Sequence, residues 1–298
     1  MSEKLRKLAR ERNAVILAHN YEPPEIQDVA DMCGDSLELS MRAAETDAGV
    51  IVFCGVHFMA ETASILSPEK TVLLPRMDAG CPMADMVTPE ALQARMAGAE
   101  GMPVVTYVNT PAAVKALSTI CCTSANAVEV VNSLSQEEVL MVPDRNLAAF
   151  AADRTEKTVH AWAGFCPFHD RLTVAEVEAA RKAHPDAVFI AHPECRREIH
   201  QMADVVTSTS GMIRYAHESA HTEFIVGTEI GILYPLEKAC PDKQFYPASE
   251  RMYCGDMKKI GLEDIVRSLE EMNGEVKVPE AVREPALVAV NRMLDLSR

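Results

Sequence analysis

The 298-residue sequence predicts an α/β fold: three pseudo-symmetric αβα sandwich domains with parallel sheets, set in a triangle around a central active site. Three observations carry that prediction. Short apolar runs of strand length alternate with helical patterns of roughly 10 to 15 residues, the signature of βα units and parallel sheets. Four landmarks then recur three times in the same order, with a period near 85 residues, which marks an internal repeat. Finally, the conspicuous polar residues sit where the apolar runs end, and open parallel sheets bind ligands outside the carboxyl ends of their strands.

A charged helical pattern over residues 2–12 precedes the first landmark, the apolar run at 14–18 that ends in His19-Asn20-Tyr21. Such a run reads as a buried parallel strand whose polar end faces a crevice. It returns at 104–106, ending in Tyr107-Val108-Asn109, and at 187–191, ending in His192-Pro193-Glu194. The second landmark is a small polar cluster ahead of a helical pattern: Gly34-Asp35-Ser36, Thr123-Ser124-Ala125-Asn126 and Thr207-Ser208-Thr209-Ser210-Gly211. The Ser and Thr residues there are expected to cap helix N-termini, which also attract anions through free N–H groups and the helix dipole. A further strand and turn form the third landmark, at 50–55, 139–144 and 224–229. The fourth is a strand that runs on to a cysteine: 70–74 to Cys81, 157–161 to Cys166, and 243–247 to Cys254. Successive cysteines are separated by 85 and 88 residues. The period places domain boundaries at 1–83, 84–168 and 169–254, with the C-terminal helices of 255–298 packed on an outer face of the first domain.

Composition narrows the function. The chain has 29 basic and 44 acidic residues, a net charge of −15, and no Lys/Arg cluster interleaved with aromatics, so nucleic acid is not an expected partner. Any anionic substrate must then be met by locally placed donors. No segment reaches the roughly 18 apolar residues of a membrane span, and residues 1–13 lack a signal-peptide core. Nine cysteines, an odd number, point to a reducing cytoplasm, where widely spaced cysteines serve metal binding or catalysis rather than disulfides.

If the three sheets turn their carboxyl ends inward, one axis collects His19, Tyr21, Ser36, Tyr107, Asn109, Ser124, His192, Glu194, Ser208, Thr209 and the cysteines Cys81, Cys166 and Cys254. Three thiolates suit zinc or an iron–sulfur cluster, since soft ligands select those metals. Structural zinc takes four ligands, usually in close pairs that this chain lacks. A four-iron cluster on three cysteines leaves one iron open as a Lewis acid; a zinc hydrolase, or three unrelated cysteines, are the competing readings. Cys33, Cys54, Cys121, Cys122, Cys195 and Cys240 read as small core residues. His57, His160, His184, His200, His217 and His221 read as ordinary polar residues, and Lys258-Lys259 as a solvated pair, with a role for Lys258 in closing the site as the alternative.

Taken together, these motifs resemble quinolinate synthases. The resemblance rests on His19-Asn20-Tyr21, Gly34-Asp35-Ser36, Tyr107-Val108-Asn109, Thr123 to Ala127, His192-Pro193-Glu194-Cys195 and Ser208 to Met212. It extends to Cys81-Pro82-Met83-Ala84, Gly164-x-Cys166-x-x-His169, Gly227-Thr228-Glu229 and Cys254-x-x-Met257-Lys258, in order from about Leu17 to Lys258. Phe165 stands where some members have His, and the paired C-terminal cysteines of some bacterial members are absent, so no disulfide switch of that kind is expected. The resemblance implies condensation of iminoaspartate with dihydroxyacetone phosphate to quinolinate, releasing phosphate and water, on the route to NAD. It implies a 4Fe-4S cluster held by Cys81, Cys166 and Cys254, and three αβα domains in a pseudo-threefold triangle. Substrate binding is expected from His19, Tyr21, Ser36, Tyr107, Val108, Asn109, Ser124, His169, His192, Pro193, Glu194, Ser208 and Thr209. Among these, Glu194 is expected as general base, Tyr107 and His19 as polarising groups, His192 in proton traffic and Asn109 as a carboxylate clamp. An aspartate oxidase or dehydrogenase is the expected supplier of the imine. A non-catalytic cluster-binding or redox-sensing protein is the alternative of a different class.

Overall fold

A computed structural model describes residues 1–99 and 101–297. The first repeat runs α1 (Ser2–Glu11), β1 (Ala14–His19), α2 (Pro24–Val29), β2 (Met32–Gly34), α3 (Ser36–Glu45), β3 (Val50–Cys54), α4 (His57–Leu66) and β4 (Thr71–Leu73). The second runs α5 (Pro89–Met96), β5 (Val104–Tyr107), α6 (Ala112–Lys115), β6 (Ile120–Cys122), α7 (Ala127–Ser133), β7 (Glu138–Val142), α8 (Arg145–Ala152) and β8 (Thr158–Ala161). The third begins with α9 (Pro167–Asp170) and α10 (Val174–Ala183), then β9 (Val188–Ala191), α11 (Arg197–Met202) and β10 (Val205–Val206). It closes with α12 (Thr209–Glu218), β11 (Glu223–Gly227), α13 (Leu233–Ala239) and β12 (Gln244–Pro247). Two helices follow, α14 (Leu262–Glu271) and α15 (Glu280–Leu296).

Each repeat forms one four-stranded parallel sheet, and the strand order is the same three times: β2-β1-β3-β4, β6-β5-β7-β8 and β10-β9-β11-β12. The expected α/β architecture of three helix-flanked parallel sheets is therefore present. The central strands are covered on both faces, which is why their sequences are unbroken apolar runs: all five residues of β3 are buried, as are all four of β5 and of β9. The edge strand β8 has no buried residue and accommodates Thr158 and His160.

The C-terminal segment closes sheet edges. The link between α14 and α15 pairs with β4, with Leu74 N–H donating to the Gly274 carbonyl and Val276 N–H to the Val72 carbonyl, both at 2.8 Å. Helix α15 packs along β6 and α6 of the second repeat and against α4 of the first, while α14 packs on α1. Covering an edge strand removes a row of unpaired backbone groups. Gly274 has φ +79, and a Cβ there would collide with the Leu74 carbonyl oxygen. Gly274→Ala is therefore expected to destabilise the fold by about 2–4 kcal/mol, combining left-handed strain with a displaced strand pairing. Thermal unfolding followed by circular dichroism checks this; an unchanged melting temperature would contradict it.

Candidate active site

One cavity is walled by the carboxyl ends of all three sheets. His19 ends β1, Tyr107 ends β5, and His192 and Glu194 follow β9, so equivalent strand positions in the three repeats deliver the polar wall. Asn109, Ser36, Ser124, Thr209, Tyr21 and His169 complete it, and Val56, Phe58, Met83, Phe168 and Met257 supply the apolar part. All three repeat cysteines, Cys81, Cys166 and Cys254, open into this same cavity. Of the residues expected to bind substrate, Val108, Pro193 and Ser208 are buried beside the cavity and do not line it. The Val108 N–H is taken by the Cys122 carbonyl.

Glu194 is the hub of the polar wall. Its Oε1 accepts the Tyr107 hydroxyl at 2.7 Å, and its Oε2 lies 2.7 Å from His169 Nδ1. The His169 Nε2 meets Thr228 Oγ1 at 2.7 Å, and Thr228 Oγ1 also pairs with the Tyr21 hydroxyl at 2.5 Å. Asn146 fixes the backbone of the hub, donating to the Glu194 carbonyl at 3.0 Å. Burial alone would raise the Glu194 carboxyl; the His169 ring, its hydrogen bond, His192 and the Tyr107 hydroxyl outweigh it and hold the group well below the usual carboxylate range. Tyr107 moves the other way. Burial and the Glu194 charge hold its phenol protonated, far above its ordinary value.

The two strand-end histidines are neutral donors. Burial lowers His192 to about 3 against the opposing pull of Glu194, and burial with the Lys258 ammonium lowers His19 to about 3. In each ring Nδ1 accepts a backbone N–H two residues on, from Tyr21 at 3.1 Å for His19 and from Glu194 at 3.2 Å for His192. The neutral tautomer then carries its proton on Nε2, which can donate to a substrate oxygen. The buried Asn109 Oδ1 has no hydrogen-bond partner, an orphan acceptor in a cavity wall that calls for a ligand donor.

The three cysteines share one local geometry. Each is followed within three residues by a short helical turn (Ala84–Met86, Pro167–Asp170 and Asp256–Lys258). Backbone amides in and beside those turns favour the thiolates: Ala84 and Met83 for Cys81, His169 for Cys166, Met257 and Asp256 for Cys254. Such donors stabilise thiolate over thiol, although burial still pushes Cys81 up to about 12 and Cys254 up to about 11. A thiolate in this setting calls for a metal in place of the proton. Four-coordinate zinc, with Zn–S bonds of about 2.3 Å, would bring its sulfurs to within about 4 Å of each other. Among the described residues the one set of three ligand atoms mutually within 4.8 Å is Cys166, His169 and Glu194, so at least one pair of the three sulfurs lies farther apart than that. Three thiols are a soft donor set, which suits a thiophilic metal.

Two expectations from the sequence need correction. Ser36, Ser124 and Thr209 do not cap their helices. Asp35 and Ser208 are the N-caps of α3 and α12, accepting amides of their own first turns, and α7 starts from Asn126 with no side-chain cap. Carboxylate and hydroxyl caps set one position back leave Ser36 and Thr209 at the first helical position, facing the cavity. Ser208 instead donates to Asp35 Oδ2 at 3.0 Å, binding α12 to α3. Lys258 is not solvated either: its side chain is 14% exposed and pairs with Glu229 at 3.0 Å. Thr228, Glu229 and Asn146 escaped notice as site residues; the first two stand at the carboxyl end of β11, the position that singled out the others.

Comparison with known proteins agrees with this geometry. The family model described as quinolinate synthetase A protein matches residues 3–295. The chain is 56% identical over 298 residues to the quinolinate synthase of Geotalea uraniireducens (strain Rf4), covering 100% of this chain and 98% of that protein. It is 55% identical over 294 residues to the quinolinate synthase of Geobacter sp. (strain M21), covering 99% and 97%. It is also 54% identical over 292 residues to quinolinate synthase 1 of Methanosarcina acetivorans, covering 98% and 96%.

Proposed function

The chain belongs to the quinolinate synthase family, and from that premise we propose that it condenses iminoaspartate with dihydroxyacetone phosphate to quinolinate, releasing phosphate and water, with a 4Fe-4S cluster on Cys81, Cys166 and Cys254. The observation that carries this reading is the meeting, in one cavity, of three amide-backed thiols and the Tyr107–Glu194–His169 network. When bound, the cluster supplies a Lewis-acidic iron with an open coordination position.

The protein's own residues do the rest. His19 and His192, neutral and protonated on Nε2, donate to substrate oxygens and polarise them. Asn109 orients a carboxylate, its side-chain amide N–H₂ donating to it. The hydroxyls of Ser36, Ser124 and Thr209 meet the carboxylates and the phosphate near helix N-termini, which offers anion binding in a chain of net charge −15. Glu194 is the general base, acting with His169 rather than alone. A carboxylate held so far below neutral pH is a weak acceptor by itself, and the His169 ring, with Nδ1 2.7 Å from its Oε2, keeps it in place. Tyr107, held protonated and donating to that carboxylate, positions it against the substrate.

All nine cysteines are free, which suits a reducing cytoplasm, and among the described residues no helix is long and apolar enough to cross a membrane. An aspartate oxidase or dehydrogenase would supply the unstable imine. Anaerobic purification with iron and sulfide analysis is expected to give about four of each per chain, with quinolinate formed when both substrates are supplied. Zinc in place of iron would overturn the cluster, and iron without product would leave the non-catalytic cluster-binding alternative.

A further inference from the structure

The Cys254 turn lies beyond the last strand, so sheet hydrogen bonds do not hold it. Its neighbour Tyr253 is 47% exposed. Glu229, a 1% exposed carboxylate at the carboxyl end of β11, helps hold the turn, beside the Ile230 N–H to the Met252 carbonyl at 2.9 Å and the Gly80 N–H to Asp256 Oδ1 at 3.3 Å. Glu229 Oε1 accepts the Cys254 N–H at 3.1 Å, and Oε2 accepts the Gly231 N–H at 2.7 Å and Lys258 Nζ at 3.0 Å. Lys258, four residues past the cysteine, also donates to the Tyr21 carbonyl. Gly231 leaves the space for this meeting. A Cβ there would lie 2.6 Å from the Tyr21 carbonyl oxygen, 2.7 Å from Lys258 Nζ and 2.8 Å from Glu229 Oε2.

We infer that Glu229 and Lys258 are positioning residues for the third cluster ligand: together they fix the Cys254 turn and fasten it to the Tyr21 backbone, so the cluster's seat and the His19–Tyr21 strand end move as one. The inference rests on the cluster reading above. The polar contacts of the pair with the turn and with the first repeat are to backbone groups, the Cys254 N–H and the Tyr21 carbonyl, so the effect passes through those backbones. A buried pair suits this role because each partner is strongly disfavoured without the other, which an exposed pair is not.

The test is the rate at which an iron chelator strips anaerobically loaded protein, measured for the parent and for Lys258→Met, Lys258→Arg and Glu229→Gln. Lys258→Met and Glu229→Gln are each expected to lose iron about tenfold faster or more, the scale on which outer partners affect metal sites. Lys258→Arg should stay near the parent, and the Lys258→Met/Glu229→Gln double variant should be no worse than the worse single one. Parent-like stripping in both Lys258→Met and Glu229→Gln would overturn the inference while leaving the cluster intact. So would loss of folding, by circular dichroism, in Lys258→Met and Lys258→Arg alike, since that assigns the pair to stability. A parent chain that takes up no iron would overturn the cluster reading itself, and this inference with it.

Discussion

Cys254→Ala is expected to give a folded chain that holds almost no iron and makes no detectable quinolinate. Cys254 is half-buried on a turn outside the sheets, so losing its sulfur removes little packing from the core. Its loss leaves two thiolates where the cavity presents three, and two cysteines from separate repeats cannot retain a cluster against solvent. Cys81→Ala and Cys166→Ala should behave alike in iron content, because each cysteine is followed by the same amide-donating turn. Cys195→Ala provides the contrast. That thiol is fully buried next to Glu194 and bonds to the Gly227 carbonyl at 3.3 Å, so its loss should lower stability while iron stays bound. Iron and sulfide analysis with the visible absorption of anaerobic protein separates these outcomes. Full iron in Cys254→Ala would end the ligand assignment.

The repeat made most of the fold legible. Buried parallel strands leave unbroken apolar runs, and a crevice at strand ends leaves polar residues at fixed distances after them, so β1, β5 and β9 could be read together with His19, Tyr107 and Glu194. Cysteines 85 and 88 residues apart could be joined only by supposing that three sheets converge. What sequence could not convey was the division of labour within a polar cluster. Asp35-Ser36 and Ser208-Thr209 look like interchangeable caps, yet in each pair the first residue caps and the second faces the cavity. The choice depends on one backbone dihedral and on the Ser208–Asp35 bond between two repeats. Lys258 was misread for a related reason. Two adjacent lysines late in an acidic chain look solvated; only the approach of Glu229 and the Tyr21 carbonyl, from distant positions, buries one of them.

Net charge sharpens the same point. A chain at −15 repels anionic substrates at long range, so capture has to come from short-range donors inside the cavity. The site provides them without an arginine cluster. Its candidate donors are two neutral imidazoles, fixed by hydrogen bonds to their own backbones, with hydroxyls and an amide beside them. Such donors need not be stripped of counter-ions, and their placement is set before the substrate arrives.

Glu194→Gln should separate chemistry from metal binding. The substitution keeps the shape of the side chain and both backbone contacts of residue 194, the N–H to His192 and the carbonyl that accepts Asn146. It removes the charge. An amide presents one oxygen where the carboxylate presented two, so either the Tyr107 hydroxyl or His169 Nδ1 loses its acceptor. No cysteine hydrogen-bonds to Glu194 directly; Cys166 reaches it only through His169 Nδ1, 3.2 Å from the sulfur and 2.7 Å from Glu194 Oε2, so iron and sulfide content should stay near the parent's. Turnover should fall by about 10²–10⁴-fold, the span of a lost acid–base group, with the larger share in kcat because the proton moves only in the chemical step. If KM rose while kcat held, Glu194 would be a binding group and the base would have to be sought among its neighbours. Full activity would remove it from the reaction. Set beside Cys254→Ala, which loses metal and turnover together, a cluster that survives with its chemistry silenced would show that the cavity's acid–base wall and its metal seat are separable parts of one site.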